Sequence, residues 1–240
     1  MGRRSRRRPA LLLAIISITS VLANVEKIIF KAPPTVNIPP AKPSLADLGL
    51  DSLSPQRTAI RTNLSRIFPA QDQGLAARGQ STWLLLRHLV EGRRYELRVC
   101  WAAVEPTSFT LDAYQLDHVW DTPDLIQSLA DYASFRKELA IPTESDDEPS
   151  TQPQESVLLL HVRAAADYFT DDLELMRHAP PVLVDLILDP FLYNLIPQSL
   201  VPIAGYLVLV AILTWFVGQW VVSGLQSVAA SPENHAKKQI

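Results

Sequence analysis

The chain has 240 residues, with 22 Lys plus Arg against 25 Asp plus Glu and a single cysteine, Cys100. Five of the basic residues crowd the first nine positions and two the last four, so residues 24–225 carry 15 basic and 24 acidic groups. That acidic body excludes a nucleic-acid-binding surface, and one cysteine excludes an intramolecular disulfide, so the fold must rest on its own apolar core.

Met1–Pro9 holds five arginines and no acid, Ala10–Leu22 is an apolar run, and Val21-Leu22-Ala23 suits the positions a signal peptidase reads. Residues 1–23 are therefore expected to be a secretory signal peptide, cut between Ala23 and Asn24. Asn24–Phe30 reads as a strand through Val25, Ile28, Ile29 and Phe30. Pro33, Pro34, Pro39, Pro40 and Pro43 then forbid regular structure up to Ser44, which could cap a short helix. From Pro55, the apolar residues Ile60, Leu64, Ile67 and Phe68 recur at helical spacing until Pro69. This predicts a helix with Arg57, Arg61 and Arg66 on its solvated side. Within it lies the chain's only N-glycosylation sequon, Asn63-Leu64-Ser65.

Thr82–Val90, Tyr95–Val104 and Phe109–Leu116 read as strands, the last two by apolar alternation, with Glu91-Gly92-Arg93 as a turn between the first pair. Their short links predict consecutive antiparallel pairing. A helix is predicted around Asp124–Leu139. Residues 142–156 contain three prolines and the acids Glu144, Asp146, Asp147, Glu148 and Glu155 without one basic residue. Such a stretch buries too little to order itself and is expected to be a mobile loop. Val157–Ala166 is a further strand, with Leu158, Leu160 and Val162 on one face.

Residues 180–199 and the two that follow are apolar for something outside a membrane. Asp185 and Asp189, four apart, would share one face of a helix apposed to the membrane, or the segment packs on the sheet; the first reading is preferred. Ile203–Leu225 has no charged residue in 23 positions, enough at 1.5 Å per residue to cross the roughly 30 Å hydrocarbon core. With the signal removed, residues 24–199 form a lumenal domain, 203–225 a transmembrane helix and 226–240 a cytosolic tail. The expected fold class is a mainly β lumenal domain, antiparallel and sandwich-like with some helix, plus that one span. Lys238 and Lys237 are the third and fourth residues counted from the carboxyl end, as in a dilysine signal for retrieval to the endoplasmic reticulum.

Catalytic patterns are missing. The sequence has no G-x-S-x-G elbow, no Gly-rich phosphate loop and no H-E-x-x-H, and its histidines (88, 118, 161, 178 and 235) lack metal-ligand spacing. Asp117, His118 and Asp121 form the nearest polar cluster and read as a solvated turn. Cys100, next to Trp101 on a strand, reads as a packed thiol. No catalytic residue, metal or cofactor is expected.

Asn24-Val-Glu-Lys-Ile-Ile-Phe30 behind a signal peptide, Tyr95-Glu-Leu-Arg-Val-Cys-Trp-Ala-Ala-Val-Glu-Pro-Thr-Ser-Phe-Thr-Leu111, and a single C-terminal span together resemble the fungal accessory subunit of GPI mannosyltransferase II. The resemblance implies a type I membrane protein of the endoplasmic reticulum. Its partner would be the multispanning enzyme that adds the second mannose to glycosylphosphatidylinositol precursors, with membrane lipid as its other contact. It brings no catalytic residues with it. An accessory subunit of GPI mannosyltransferase I, or a cargo receptor of the secretory pathway, would share the same plan.

Overall fold

The structure, a computed structural model, describes residues 23–37, 45, 48–69, 78–139 and 154–229. The signal segment before Ala23, Ser44, most of the acidic 142–156 stretch, and Lys237 and Lys238 lie outside the described residues.

Strand β6 (Arg94–Ala102) shows how the alternation builds a sheet with one buried face. Tyr95, Leu97, Val99 and Trp101 are buried on one side, and Arg94, Glu96, Arg98 and Cys100 take the other. It pairs antiparallel with β1 (Ala23–Lys31) and with β10 (Val182–Leu192). Beyond β10 lies β4 (Ala59–Leu64), and the end of β10 also pairs with the short β11 (Ile196–Pro197). The second sheet runs β3 (Asp51–Leu53), β5 (Gln80–Leu86), β9 (Leu158–Ala166), β7 (Thr107–Tyr114). All its pairings are antiparallel except β3 with β5. A separate pair joins β2 (Val36–Asn37) to β8 (Gln154–Glu155).

The two sheets stack as a sandwich. Leu64, Leu97, Val99, Leu186 and Leu188 from the first meet Leu84, Leu86, Leu111, Leu160 and Val162 from the second. Each such side chain contributes roughly 1.5–3 kcal/mol by leaving water. The outer face of the second sheet is covered by α1 (Leu116–Asp121) and α2 (Pro123–Leu139). Val119, Leu125 and Leu129 close there over Trp83, Leu85 and Leu159. Strand β9 is therefore buried at all nine positions, its polar His161 and Arg163 included. Gly79 enters β5 at φ +115, and a Cβ there would stand 2.5 Å from the backbone of Ala164, so no other residue fits.

Several expected elements take another form. The helix expected from Pro55 is strand β4, because the spacing of four between Ile60 and Leu64 satisfies a strand face as well as a helical one. Thr62 falls between them on the inner side, and Arg61 and Asn63 point out. Arg66 is not on a solvated side: it is buried, donating to the carbonyls of Pro180 at 2.7 Å and Pro106 at 3.1 Å and to Thr107 Oγ1 at 2.6 Å. The helix expected within 180–199 is strand β10, central in the first sheet, so this part packs on the sheet. Asp185 and Asp189 do share a face, by the two-residue period of a strand. The expected hairpins β5–β6 and β6–β7 are absent: each short link crosses from one sheet to the other, a step of about 10 Å that few residues can span.

The end of the acidic stretch is also fixed. Glu155 and Ser156 are buried, and Glu155 accepts from Arg87 Nε at 3.1 Å, from Arg87 Nη2 at 3.0 Å and from the His88 amide at 2.9 Å. Burial alone would raise its pKa, but the Arg87 guanidinium and that amide hold the carboxyl below its ordinary value.

After the short helix α3 (Leu173–Arg177), strand β10 and the β11 hairpin, a 3₁₀ turn at Gln198–Leu200 leads into α4 (Val201–Ala229). The apolar helical stretch Gln198–Ser227 is 30 residues long, about 45 Å, long enough to cross a membrane, and none of it is buried against the sandwich.

Candidate functional site

The place where the sandwich meets α4 is built from the outer face of the first sheet. Glu96 on β6 and Asp189 on β10 point outward yet are almost fully buried, 4% and 5% exposed, because basic and hydroxyl side chains close over them. Lys27 Nζ on β1 donates to Glu96 at 3.1 Å, and Arg98 lies between the two acids, 3.6 Å from Glu96 and 3.4 Å from Asp189. Asp189 then reaches across the hairpin: Oδ1 accepts the Ser199 amide at 3.2 Å and Oδ2 accepts the Ser199 hydroxyl. Ser199 sits in the turn that opens α4, where amides have no intrahelical acceptor and a carboxylate is favoured. A ladder of charges thus runs over three strands and ends on the turn that opens the long apolar helix α4. It fixes the point where that helix leaves the sheet.

The same face carries the exposed pair Arg61–Asp185, with two bonds of 2.7 Å. The Arg61 guanidinium holds the Asp185 carboxyl below its ordinary range. Cys100, half-buried beside Asp185 in register, has its thiol pKa raised by burial, the opposite of an activated nucleophile.

Other sequence-predicted residues are dispersed. Ala23 is the first residue of β1, paired with Ala102, and Asn24 is paired with Trp101. Asn63 is exposed on β4 opposite Leu183. Asp117, His118 and Asp121 are exposed on α1 instead of in a loop, with His118 stacked 5.4 Å from Tyr114. No hydrogen bond or strand pairing among the described residues joins the β1 pair, Asn63 and the α1 residues to one another. Among the described residues no group of three or more His, Cys, Asp or Glu could hold a metal ion.

One polar pair escaped the sequence. His161 Nε2 lies 2.9 Å from Ser81 Oγ, with the imidazole stacked flat on Trp83 at 4.2 Å. Ser81 lines a cleft of about 440 Å³ between α2 and the ends of β4 and β5, beside Asp51, Asn63, Tyr132 and Arg136. A Ser–His contact at a cleft invites a catalytic reading, but the imidazole is wrong for it. Burial, with the Arg163 charge two residues away on β9, pushes its pKa down to about 3, far too low for a general base near neutrality. Its Nδ1 has no hydrogen-bond partner among the described residues, so no second group there orients the ring for proton transfer. The pair is a core feature.

What sequence reasoning missed is the joint itself. Asp189 and Ser199 are ten residues apart across a hairpin, and neither residue type announces a long-range cap.

The sequence model of the Pga1 family, described as GPI-mannosyltransferase II co-activator, matches residues 14–157, through β1 and the first strands of both sheets to the start of β9. No curated protein and no solved structure matches the chain. With that match covering more than half of its length, the chain belongs to the Pga1 family of GPI-mannosyltransferase II co-activators.

Proposed function

We propose that this chain is a non-catalytic subunit of the endoplasmic-reticulum mannosyltransferase that adds the second mannose to GPI precursors, holding a multispanning catalytic partner through α4 and the surface around the joint. The family match carries the reading. A sugar transfer from a lipid-linked donor needs a cavity reaching into the bilayer, and one helix cannot enclose it. The chain's contribution is then packing and placement. Gly218, Gln219 and Ser223 in α4 would let a partner helix come close and hydrogen-bond.

The proposed topology is type I, with the sandwich lumenal and 226–240 cytosolic. Cleavage between Ala23 and Asn24 would leave Asn24–Lys31 free to pair in full. Exposure of Asn63 supports its use as a glycan acceptor. Lys237 and Lys238 are proposed as the retrieval signal.

Replacing Ile203–Leu225 with an unrelated span of equal length is expected to weaken co-purification with the mannosyltransferase and to accumulate GPI precursors carrying one mannose. Alanine at Asp117, His118 and Asp121 together is expected to leave the pathway unchanged; lost activity there, with partner binding intact, would overturn the non-catalytic reading. A glycosidase-sensitive mass shift that disappears in Asn63→Gln checks the topology. Later Golgi processing of that glycan when Lys237 and Lys238 are both replaced by serine checks the tail.

A further inference from the structure

The hairpin between β10 and β11 is apolar at its tip and is left uncovered by the described residues. Tyr193 is 87% exposed and Leu195 77%, with Leu192, Ile196 and Leu200 also open to solvent. Tyr193 and Asn194 both adopt positive φ, +50 and +59, a conformation that costs free energy in non-glycine residues. Asn194 has a reason to hold it: its Oδ1 accepts the Arg94 amide at 2.8 Å and its Nδ2 donates to the Gly92 carbonyl at 3.2 Å. This locks the tip to the β5–β6 turn. The lock also gathers cations, for Arg93 donates to the Phe191 carbonyl at 3.1 Å and the Arg94 guanidinium lies 5.8 Å over the Phe191 ring. Lys31 pairs in register with Arg94. The one acid in the turn, Glu91, is directed to the Thr35 amide.

Position decides what this surface meets. If Ile203–Leu225 fills the hydrocarbon core, Gln198, five residues earlier, sits about 8 Å above it, within the headgroup layer of roughly 5–8 Å. Leu195 is three residues from Gln198 and so no more than about 11 Å from it. The Asp189–Ser199 contacts prevent the sheet from drifting away. An apolar tip flanked by Lys and Arg and within reach of that layer has the chemistry of an interfacial anchor.

We infer that the β10–β11 hairpin inserts Tyr193 and Leu195 into the leaflet on the sandwich's side of the membrane, with Lys31, Arg93 and Arg94 against the phosphates of anionic lipid headgroups. The inference rests on the reading that α4 crosses the bilayer, and the test separates the two. In a Cys100→Ser background, an environment-sensitive fluorophore is placed on Tyr193→Cys, on Leu195→Cys, on Val104→Cys at the far end of β6, or on Leu209→Cys within α4. The full chain is then reconstituted into vesicles of phosphatidylcholine with or without phosphatidylserine.

Probes at 193 and 195 are expected to be blue-shifted and shielded from aqueous iodide, and the probe at 104 to be fully quenched. Phosphatidylserine should increase the shielding. Lys31→Gln combined with Arg94→Gln should remove that increase, about fivefold in apparent lipid partitioning for each neutralised charge. Shielding at 209 with iodide access at 193 and 195 equal to that at 104 overturns the inference while leaving the span intact. Iodide access at 209 instead refutes the span. Shielding at 193 only when the mannosyltransferase is co-reconstituted also overturns the inference, giving the hairpin to a protein contact.

Discussion

Acidification from pH 7 towards pH 4 is expected to destabilise the sandwich steeply, and His161→Phe to remove most of that slope. His161 is fully buried and stacked on Trp83, with its folded pKa near 3 because burial and the Arg163 charge both oppose protonation. An unfolded histidine titrates near 6.5, so below that pH the unfolded chain takes up a proton that the fold refuses. The stability is fully present above pH 6.5 and is lost as pH falls towards 3, at about 1.4 kcal/mol per pH unit, on the order of 5 kcal/mol over the whole window. Glu155 acts lower down: its folded pKa is depressed, so its contribution is present above about pH 4.5 and is lost below. Between pH 6.5 and 4.5 the histidine therefore dominates. Phenylalanine keeps the stack on Trp83 and cannot titrate, and Ser81, at the cleft wall, can turn its hydroxyl to water. Urea midpoints of the detergent-solubilised chain, followed by tryptophan fluorescence from pH 7 to 4.5, check this. Parallel slopes for wild type and variant would show that His161 is not the acid-labile group.

That histidine also marks where sequence and structure part. The alternation of Tyr95, Leu97, Val99 and Trp101 on β6 was legible because one face of that strand is buried and the other is not. Strand β9 was legible through Leu158, Leu160 and Val162, while its other face carries His161 and Arg163, both buried. Their partners come from neighbouring strands, His161 stacking on Trp83 of β5 and Arg163 pairing with Asp112 of β7. Spacings of four misled twice, at Ile60 and Leu64 and at Asp185 and Asp189, because four is both one helical turn and two strand repeats. Partner choice was not legible. Short links between β5, β6 and β7 exclude a parallel crossover but do not distinguish a hairpin from a change of sheet. Arg66 read as a solvated cation, since its acceptors Pro106 and Pro180 are 40 and 114 residues away. The apolar run Ile203–Leu225 needed no tertiary partner to be read as a helix, and it lies within the helix Val201–Ala229.

Asp189→Ala is expected to cut co-activation of the mannosyltransferase roughly tenfold or more while α4 still recruits the partner. Asp189 is the one carboxylate that holds both the Ser199 amide and its hydroxyl, and it faces Arg98 from a position only 5% exposed. Its removal leaves an orphan amide at the first turn of the helix and a half-compensated guanidinium, a cost of about 2–4 kcal/mol. The first sheet loses little else, because β10 keeps its ladders to β4 and β6. The loss therefore falls on the angle between sandwich and helix. A partner that binds α4 would still be captured, but the sandwich would no longer be presented to it in one orientation. Asp185→Ala is the matched control: it lies on the same strand and face, but its pair with Arg61 is exposed, and such pairs contribute about 1 kcal/mol or less. Ser199→Ala keeps the amide bond to Asp189 and removes only the hydroxyl, so its defect should fall between the two. Membranes from cells carrying each variant would be assayed for mannosyltransferase II product and for co-purified enzyme, with protease resistance of the sandwich as the check on folding. Equal activity in the Asp189 and Asp185 variants, with the sandwich intact in both, would show that the joint serves stability alone and that co-activation does not depend on how the domain is held.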